Sequence, residues 1–416
     1  MNAYVRLIFE SLKTSHSALN LYTHNEGIEK NDYIELNNKT IPVYESELWT
    51  AKQRAGSSIH EVSYRACFKS QLPKFFVSAL TKEGDWVYDP FSGRGTTAIE
   101  SALLGRRVIA NDVNPLSKIL LEPRLSVPTS KEVEDRLSLL KFDRNLKDDI
   151  DLSMFYHKKT EIEILSLRKY LSEKLSGGKE DAIDKWIRMV ATNRLTGHSP
   201  GFFSVYSLPP NQAISPERQK IINTKLGQTP AYKAIIPLIL KKSSQLLAGL
   251  NHFDIQNLRA SARSKILLNH DARHTPEIYN NQVKLTVTSP PFLDIVQYAQ
   301  DNWLRCWFNE IDSKQVSQSI TMAKTIQQWS DIMRDVFCEL FRITIPGGWV
   351  AFEVGEVKKG SIKLDELVIP LGEEVGFNCV GILINSQKFT KTSNIWGIKN
   401  NAIGTNTNRI VLFRKS

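Results

Sequence analysis

Only four cysteines occur in the 416 residues, Cys67, Cys306, Cys338 and Cys379, and they lie far apart. No two make a CxxC pair and none stands with histidine at metal-ligand spacing. Neither a disulfide framework nor a structural metal site is therefore expected, and the thiols read as reduced core residues. No apolar run is long enough to span a membrane, and the first residues lack the apolar core of a secretory signal. The expectation is a cytoplasmic protein with no membrane partner. Internal repeats and low-complexity tracts are also missing. Acidic residues are in deficit: 44 Asp and Glu stand against 54 Lys and Arg, a formal net charge of +10. That excess favours a polyanionic partner, of which nucleic acid is the commonest.

What is present begins with a glycine turn. Trp86-Val87-Tyr88 reads as a short strand, and Asp89-Pro90-Phe91-Ser92-Gly93-Arg94-Gly95-Thr96-Thr97 follows it. The glycines let the backbone turn tightly and approach a ligand closely. A helix from Gly95 to Leu104, stopped by Gly105, would turn its free N–H groups toward that ligand. The third glycine of a dinucleotide fingerprint is missing, as is the Gly-Lys-Ser/Thr of a phosphate loop. A diphosphate is therefore not the obvious guest. Val108-Ile109-Ala110 forms the next strand and ends at Asn111-Asp112, where a carboxylate would accept from ribose hydroxyls. Ile266-Leu267-Leu268 reads as the third strand, and Asp271 beyond it would accept from an adenine amino group. S-adenosylmethionine, a nucleoside with a methionine tail, satisfies all three positions. Either acid alone reads as a solvated turn residue.

The second signature is Ser289-Pro290-Pro291-Phe292, at the end of an apolar strand from Val283 to Val287. Neither proline has an N–H, so the ladder stops there and the carbonyls stay free to accept. Ser289 adds a hydroxyl acceptor, and Phe292 offers a face on which a base can stack. Without the glycine turn upstream, the tetrapeptide would read as a rigid loop with a core phenylalanine.

Strand, glycine turn, helix, strand and acid open a doubly wound α/β sheet. Four segments follow: an N-terminal arm over 1–55, the cofactor half of a catalytic domain over 56–124, a helical insertion over 125–262, and the catalytic half over 263–416. The insertion, roughly 140 residues, has the size of an inserted domain. Helical patterns are expected over 61–80, 131–149, 158–175, 180–196 and 230–250, and in a later helix holding Ile332, Val336, Phe337 and Leu340. The turn Pro346-Gly347-Gly348 precedes a strand over 349–354. Segments 379–383 and 409–413 read as a closing β pair.

Together the two signatures resemble the amino-methylating DNA methyltransferases, over about residues 60–120 and 264–416. In that family a DPFxGxGTT segment binds S-adenosylmethionine and a (Asp/Asn/Ser)-Pro-Pro-aromatic segment is catalytic. The resemblance implies a Rossmann-like, S-adenosylmethionine-dependent sheet acting on double-stranded DNA. It carries cofactor binding to Asp89, Pro90, Phe91, Ser92, Gly93, Gly95, Thr96, Thr97 and Asp112, with Asp271 added from its position. Catalysis falls on Ser289, Pro290, Pro291 and Phe292. The serine resembles the cytosine-N4 branch; adenine-N6 and RNA base methylation stand as alternatives, as does a catalytically dead DNA binder. The family further implies a restriction–modification pair, with a cognate endonuclease as functional partner. The long insertion precedes the third strand, whereas family members usually place a central recognition domain after it.

The chemistry fits the corner. A cytosine amino lone pair is delocalised into the ring; accepting its N–H bonds at Ser289 and the Pro290 carbonyl would localise it toward a sulfonium methyl. Such a base must be flipped out of a duplex. No cysteine follows a proline, so the usual nucleophile of cytosine-C5 methylation is missing. No strong general base is evident. DNA contacts are expected from Arg188, Arg194, His198, Arg218, Lys220, Lys225 and Lys233 beside Phe202, Phe203 and Tyr206. Tyr298, Asp301, Asn302, Trp303, Arg305 and Trp307 are expected in a loop and helix over the site.

Overall fold

The structure is a computed structural model that describes residues 30–36, 38–46, 56–64, 67–208, 213–291, 298–320, 323, 325–354, 356–357, 362–386 and 407–416. Its strands are β1 (Lys30–Leu36), β2 (Lys39–Ser46), β3 (Trp86–Asp89), β4 (Arg107–Asn111), β5 (Ile266–Leu268), β6 (Val283–Thr288), β7 (Thr344–Val354), β8 (Glu356–Val357), β9 (Ile362–Lys363), β10 (Phe377–Ser386) and β11 (Thr407–Lys415). Nine of them make one sheet in the order β1-β2-β10-β11-β7-β6-β3-β4-β5, and β8 and β9 pair apart from it. Strands β7, β6, β3, β4 and β5 run parallel, while β11 is antiparallel to both β7 and β10.

Chain order runs outward from β3 to β5, then resumes on the other side of β3 with β6 and β7. The β3/β6 boundary is therefore the topological switch point, and the crevice beyond its carboxyl ends is where open α/β sheets bind ligands. The glycine turn follows β3 and the Ser-Pro-Pro corner follows β6, so the two signatures meet at that crevice. The α/β sheet expected from the sequence is what the chain forms.

Helices cover both faces. They are α1 (Gln71–Leu80), α2 (Thr96–Leu103), α3 (Leu116–Leu125), α4 (Ser130–Ser138), α5 (Lys158–Ser176), α6 (Ala182–Thr192), α7 (Pro216–Leu226), α8 (Ile235–Leu247), α9 (His252–Ser264), α10 (Tyr298–Phe308), α11 (Ser313–Ser319), α12 (Ile326–Ile343) and α13 (Leu364–Glu374). The strand period of two divides the core. Val108 and Ala110 join one apolar cluster and Ile109 the opposite one, packed with α12 and α13. On α12, Trp329, Met333, Val336, Phe337, Leu340 and Ile343 are buried at helical spacing, each contributing about 1.5–3 kcal/mol of apolar burial. Among the described residues no helix is long and apolar enough to cross a membrane.

Three expectations change. The helix expected over 61–80 forms only over Gln71–Leu80. Upstream, Ser58 donates to the Leu246 carbonyl, the Ser63 N–H to Asn193, and Arg94 to the carbonyls of His60 and Val62. Those backbone groups are used in tertiary bonds, which compete with a helical ladder. The helix expected over 131–149 stops at Ser138. Beyond it, Asp143, Asp148 and Asp151 each accept from the backbone N–H two residues on, turns that compete with a helix. The 1–55 arm contains a β-hairpin, β1 and β2, whose β2 extends the sheet beside β10.

Residues 125–262 form a helical layer. Its apolar side chains, among them Phe155, Ile164, Trp186 and Ile239, share one cluster with Ala98, Ile99 and Val108 of the sheet layer.

Candidate active site

The glycine turn is shaped by its own backbone. Gly93 and Gly95 have φ of 52° and 79°, a region costly for residues with a Cβ. A Cβ on Gly95 would also stand 2.6 Å from Leu121 Cδ1. Hydrogen bonds fasten the turn: Ser92 N–H to the Asn111 carbonyl at 2.9 Å and Gly93 N–H to Asp112 Oδ2 at 2.7 Å. The other Asp112 oxygen accepts from Asn114 N–H at 2.9 Å. Burial pushes the Asp112 carboxyl up to about 6.

Asp89 is fully buried at the end of β3. It accepts from Thr288 Oγ1 at 2.7 Å and from Phe91 N–H at 3.1 Å. Thr97 Oγ1 donates across to the Val287 carbonyl at 3.1 Å. These bonds tie the glycine turn to the strand that carries the Ser-Pro-Pro corner. Burial, with no cation beside it, pushes Asp89 up to about 7. Thr96 is buried at the start of α2, and the Ser92 hydroxyl is buried with no hydrogen-bond partner among the described residues.

At the second corner, Thr288 lies opposite Phe352 of β7. Ser289 follows it and hydrogen-bonds through its side chain to Glu353, which also accepts from Asn408 Nδ2 of β11. Glu353 is buried, and burial pushes its carboxyl above the usual glutamate value. The sequence reading found no base here. A signal was available: Glu353 is the one charged residue in the apolar run Trp349 to Val354, where a buried acid needs a reason.

The proline carbonyls are not both free. Pro291 accepts from Trp329 Nε1 at 3.1 Å, which corrects the expectation drawn from their missing N–H groups; α12 supplies a donor that no local pattern announces. Phe292 and the Tyr298 side chain lie outside the described residues.

Asp271 lies beyond β5, where the sequence placed it, but it is held by Arg273, at 2.6 Å from Nη2 and 2.9 Å from Nε. That guanidinium keeps its carboxyl below the usual range. Asp271 lines a cavity of about 660 Å³ with Val113, Asn269, His270, Asp312 and Val316. Val113 follows Asp112 directly, so the cavity adjoins the glycine turn.

Helix α10 joins the corner to the helical layer. Trp303 Nε1 donates to the Ile214 carbonyl, Trp307 Nε1 to Asp148, and Ala213 N–H to the Asp301 carbonyl. The expected basic set divides. Arg188 is buried against Glu180, Arg194 stacks 3.9 Å from the Phe202 ring centre, and Lys233 donates to the carbonyls of Phe202 and Ser204. Arg188 and Arg194 are buried and Lys233 is half-buried. His198, Arg218, Lys220 and Lys225 are exposed.

Residues 10–118 match the family model described as DNA methylase. The type II methyltransferase M.BsoBI of Geobacillus stearothermophilus is 19% identical over 77% of this chain and 68% of its own length. The type II methyltransferase M.MthZI of Methanothermobacter thermautotrophicus is 31% identical over 20% of this chain and 24% of its own length. A TehB-like SAM-dependent methyltransferase of Corynebacterium glutamicum aligns at 8% identity over 83% of this chain and 87% of that one, with a TM-score of 0.30. Over these stretches the chain is similar to DNA methylases and to type II methyltransferases.

Proposed function

We propose that the chain transfers a methyl group from S-adenosylmethionine to the N4 amino group of cytosine in duplex DNA. The observation that carries the reading is the stitched pair of corners: Thr288 on Asp89 and Thr97 on the Val287 carbonyl hold the glycine turn and Ser289 on adjacent strands. The residues present fit the cofactor. The Ser92 hydroxyl is buried and unpartnered among the described residues, and the cavity beside Val113 has room for a nucleobase. Asp112 and Asp271 would face its ribose and adenine, and Gly93 and Gly95 its methionine side.

When bound, the cofactor supplies an electrophilic methyl on a sulfonium. The chain's own groups prepare the amine. Ser289 donates its O–H to Glu353, so its lone pairs face outward to accept an amine N–H. The Pro290 carbonyl accepts the second N–H. Both acceptors strengthen as positive charge develops on nitrogen. The proton released from nitrogen then passes to Ser289 Oγ while the serine proton moves to Glu353, whose raised pKa suits it to receive one. Phe292 is proposed to stack on the flipped base. The exposed basic residues of the helical layer are proposed to meet the DNA backbone, and a cognate endonuclease is the proposed functional partner.

Nucleoside mass spectrometry on plasmid DNA from cells expressing the parent or Ser289→Ala tests this. N4-methylcytosine with the parent only is the expected result. N6-methyladenine would overturn the base assignment while keeping the cofactor reading. No modified base in either sample would overturn the DNA activity.

A further inference from the structure

Charged groups buried in the helical layer are normally paired. Arg188 meets Glu180, Arg136 meets the fully buried Asp184, and on the sheet side Arg409 meets Asp365. Arg124 has no carboxylate, but all three of its guanidinium nitrogens donate to carbonyls, of Leu120, Ile59 and Arg94. Two arginines break the pattern. Arg194 is 8% exposed and Arg305 is 7% exposed. Among the described residues the Arg305 guanidinium makes one hydrogen bond, Nη1 to Asn302 Oδ1 at 2.9 Å. Among the described residues the Arg194 guanidinium donates to Asn193, at 2.9 and 3.3 Å, and stacks on Phe202. Among the described residues neither forms an ion pair.

The two also lie within electrostatic reach of each other. Burial first, and Arg305 second, push Arg194 down to about 10. Glu61 lies within electrostatic reach of Arg194 and Asp301 of Arg305, but buried cations that repel and have no direct ion pair among the described residues are costly to the fold unless something anionic completes them. Their location says what that is. Arg305 lies within electrostatic reach of Tyr64, Cys306, Cys67 and Asp301. Of these, the Tyr64 and Cys67 side chains stand 3.6 and 3.8 Å from where a Cβ of Gly93 would be. Tyr64 OH further accepts from Asn114, one of the two residues that hold Asp112. Arg305 therefore lies within electrostatic reach of two side chains that pack beside the glycine turn.

We propose that Arg305, backed by Arg194, is a carboxylate site beside the glycine turn, and that its occupant is the carboxylate of the methionine end of S-adenosylmethionine. This rests on the cofactor reading above. A guanidinium matches a carboxylate bidentately, and its free N–H groups suit that fork. The depth of the pair behind α10 and residues 56–64 favours a small ligand over the backbone of a duplex.

Calorimetric titration of the full chain and of Arg305→Met, with S-adenosylhomocysteine and with 5′-methylthioadenosine, tests the assignment. The first ligand has the carboxylate; the second keeps the nucleoside and thioether without it. Arg305→Met is expected to weaken S-adenosylhomocysteine about 10- to 100-fold, the range for a charged hydrogen bond, and to leave 5′-methylthioadenosine within about twofold. Arg305→Lys is expected to recover part of the loss. Equal loss for both ligands would mean a structural role and overturn the inference. Unchanged S-adenosylhomocysteine binding with weaker duplex binding would assign the pair to a DNA phosphate and also overturn it. A parent that binds neither ligand would overturn the cofactor reading, and this inference with it.

Discussion

Asp271 with its Arg273 apart, acids at the carboxyl edge of the sheet and the ion-paired acids of the helical layer are treated in opposite ways. At the sheet edge Asp89, Asp112 and Glu353 have hydroxyl, backbone N–H or amide partners rather than cations, and burial raises all three. In the helical layer Asp181 and Asp184 share Arg136, Asp148 meets Arg168 and Glu180 meets Arg188. Pairing satisfies a buried charge permanently, and so suits a scaffold. A carboxyl held by neutral donors keeps a protonation state that a ligand or a reaction can change. On the proposed function, the contrast separates the part of the molecule that would react from the part that supports it.

The comparison breaks most visibly at Glu353. Glu353→Gln keeps the shape and removes the proton acceptor, so transfer is expected to fall about 10²-fold. Because burial holds Glu353 above the usual glutamate value, it becomes ionised only as pH rises past that range. The parent rate is expected to climb with pH through that window, and the variant to lose the climb. Stability runs the other way: a raised folded pKa favours the folded protein at low pH, and that contribution is lost as pH rises through it. A pH–rate profile equal in both proteins would remove Glu353 from the chemistry.

A smaller effect is expected from Arg136→Ala. It strands Asp184, whose side chain is fully buried, although Tyr170 OH still donates to it at 2.9 Å. A loss of about 2–3 kcal/mol of stability is expected, discounted because Arg136 is partly exposed. Turnover below the melting transition should stay within about twofold. Denaturant unfolding and a rate assay separate the two; a large rate loss in folded protein would erase the division between scaffold and site.

The smallest effect is expected at the surface. Arg218 and Lys225 lie on α7, which buries only Gln219. If they meet phosphates, each alanine substitution should lower the slope of log affinity against log salt by about 0.9 and leave cofactor affinity alone. An unchanged slope would place the DNA on another face.

Much of this was legible locally. A short apolar run before Asp89, glycines at 93 and 95, and a double proline after a second run are signals within a few residues, and the strands stand where those signals put them. Arg188 and Arg194 look like surface cations in sequence, yet the packed helices draw them inside, and Lys233 is half-buried against the carbonyls of Phe202 and Ser204. Glu353 could be suspected from its apolar neighbours, but its partner could not.

The sequence by itself determined the α/β alternation and the two corners, because turns, helix starts and strand ends are set by neighbouring residues. Only the tertiary structure decided which side chains stand together. Strand pairing puts Glu353 beside Ser289 and Thr288 on Asp89, and helix packing brings Arg305 toward Tyr64 and Cys67. Those meetings join residues far apart in the chain, and they arise when the sheet and helices bury a common core.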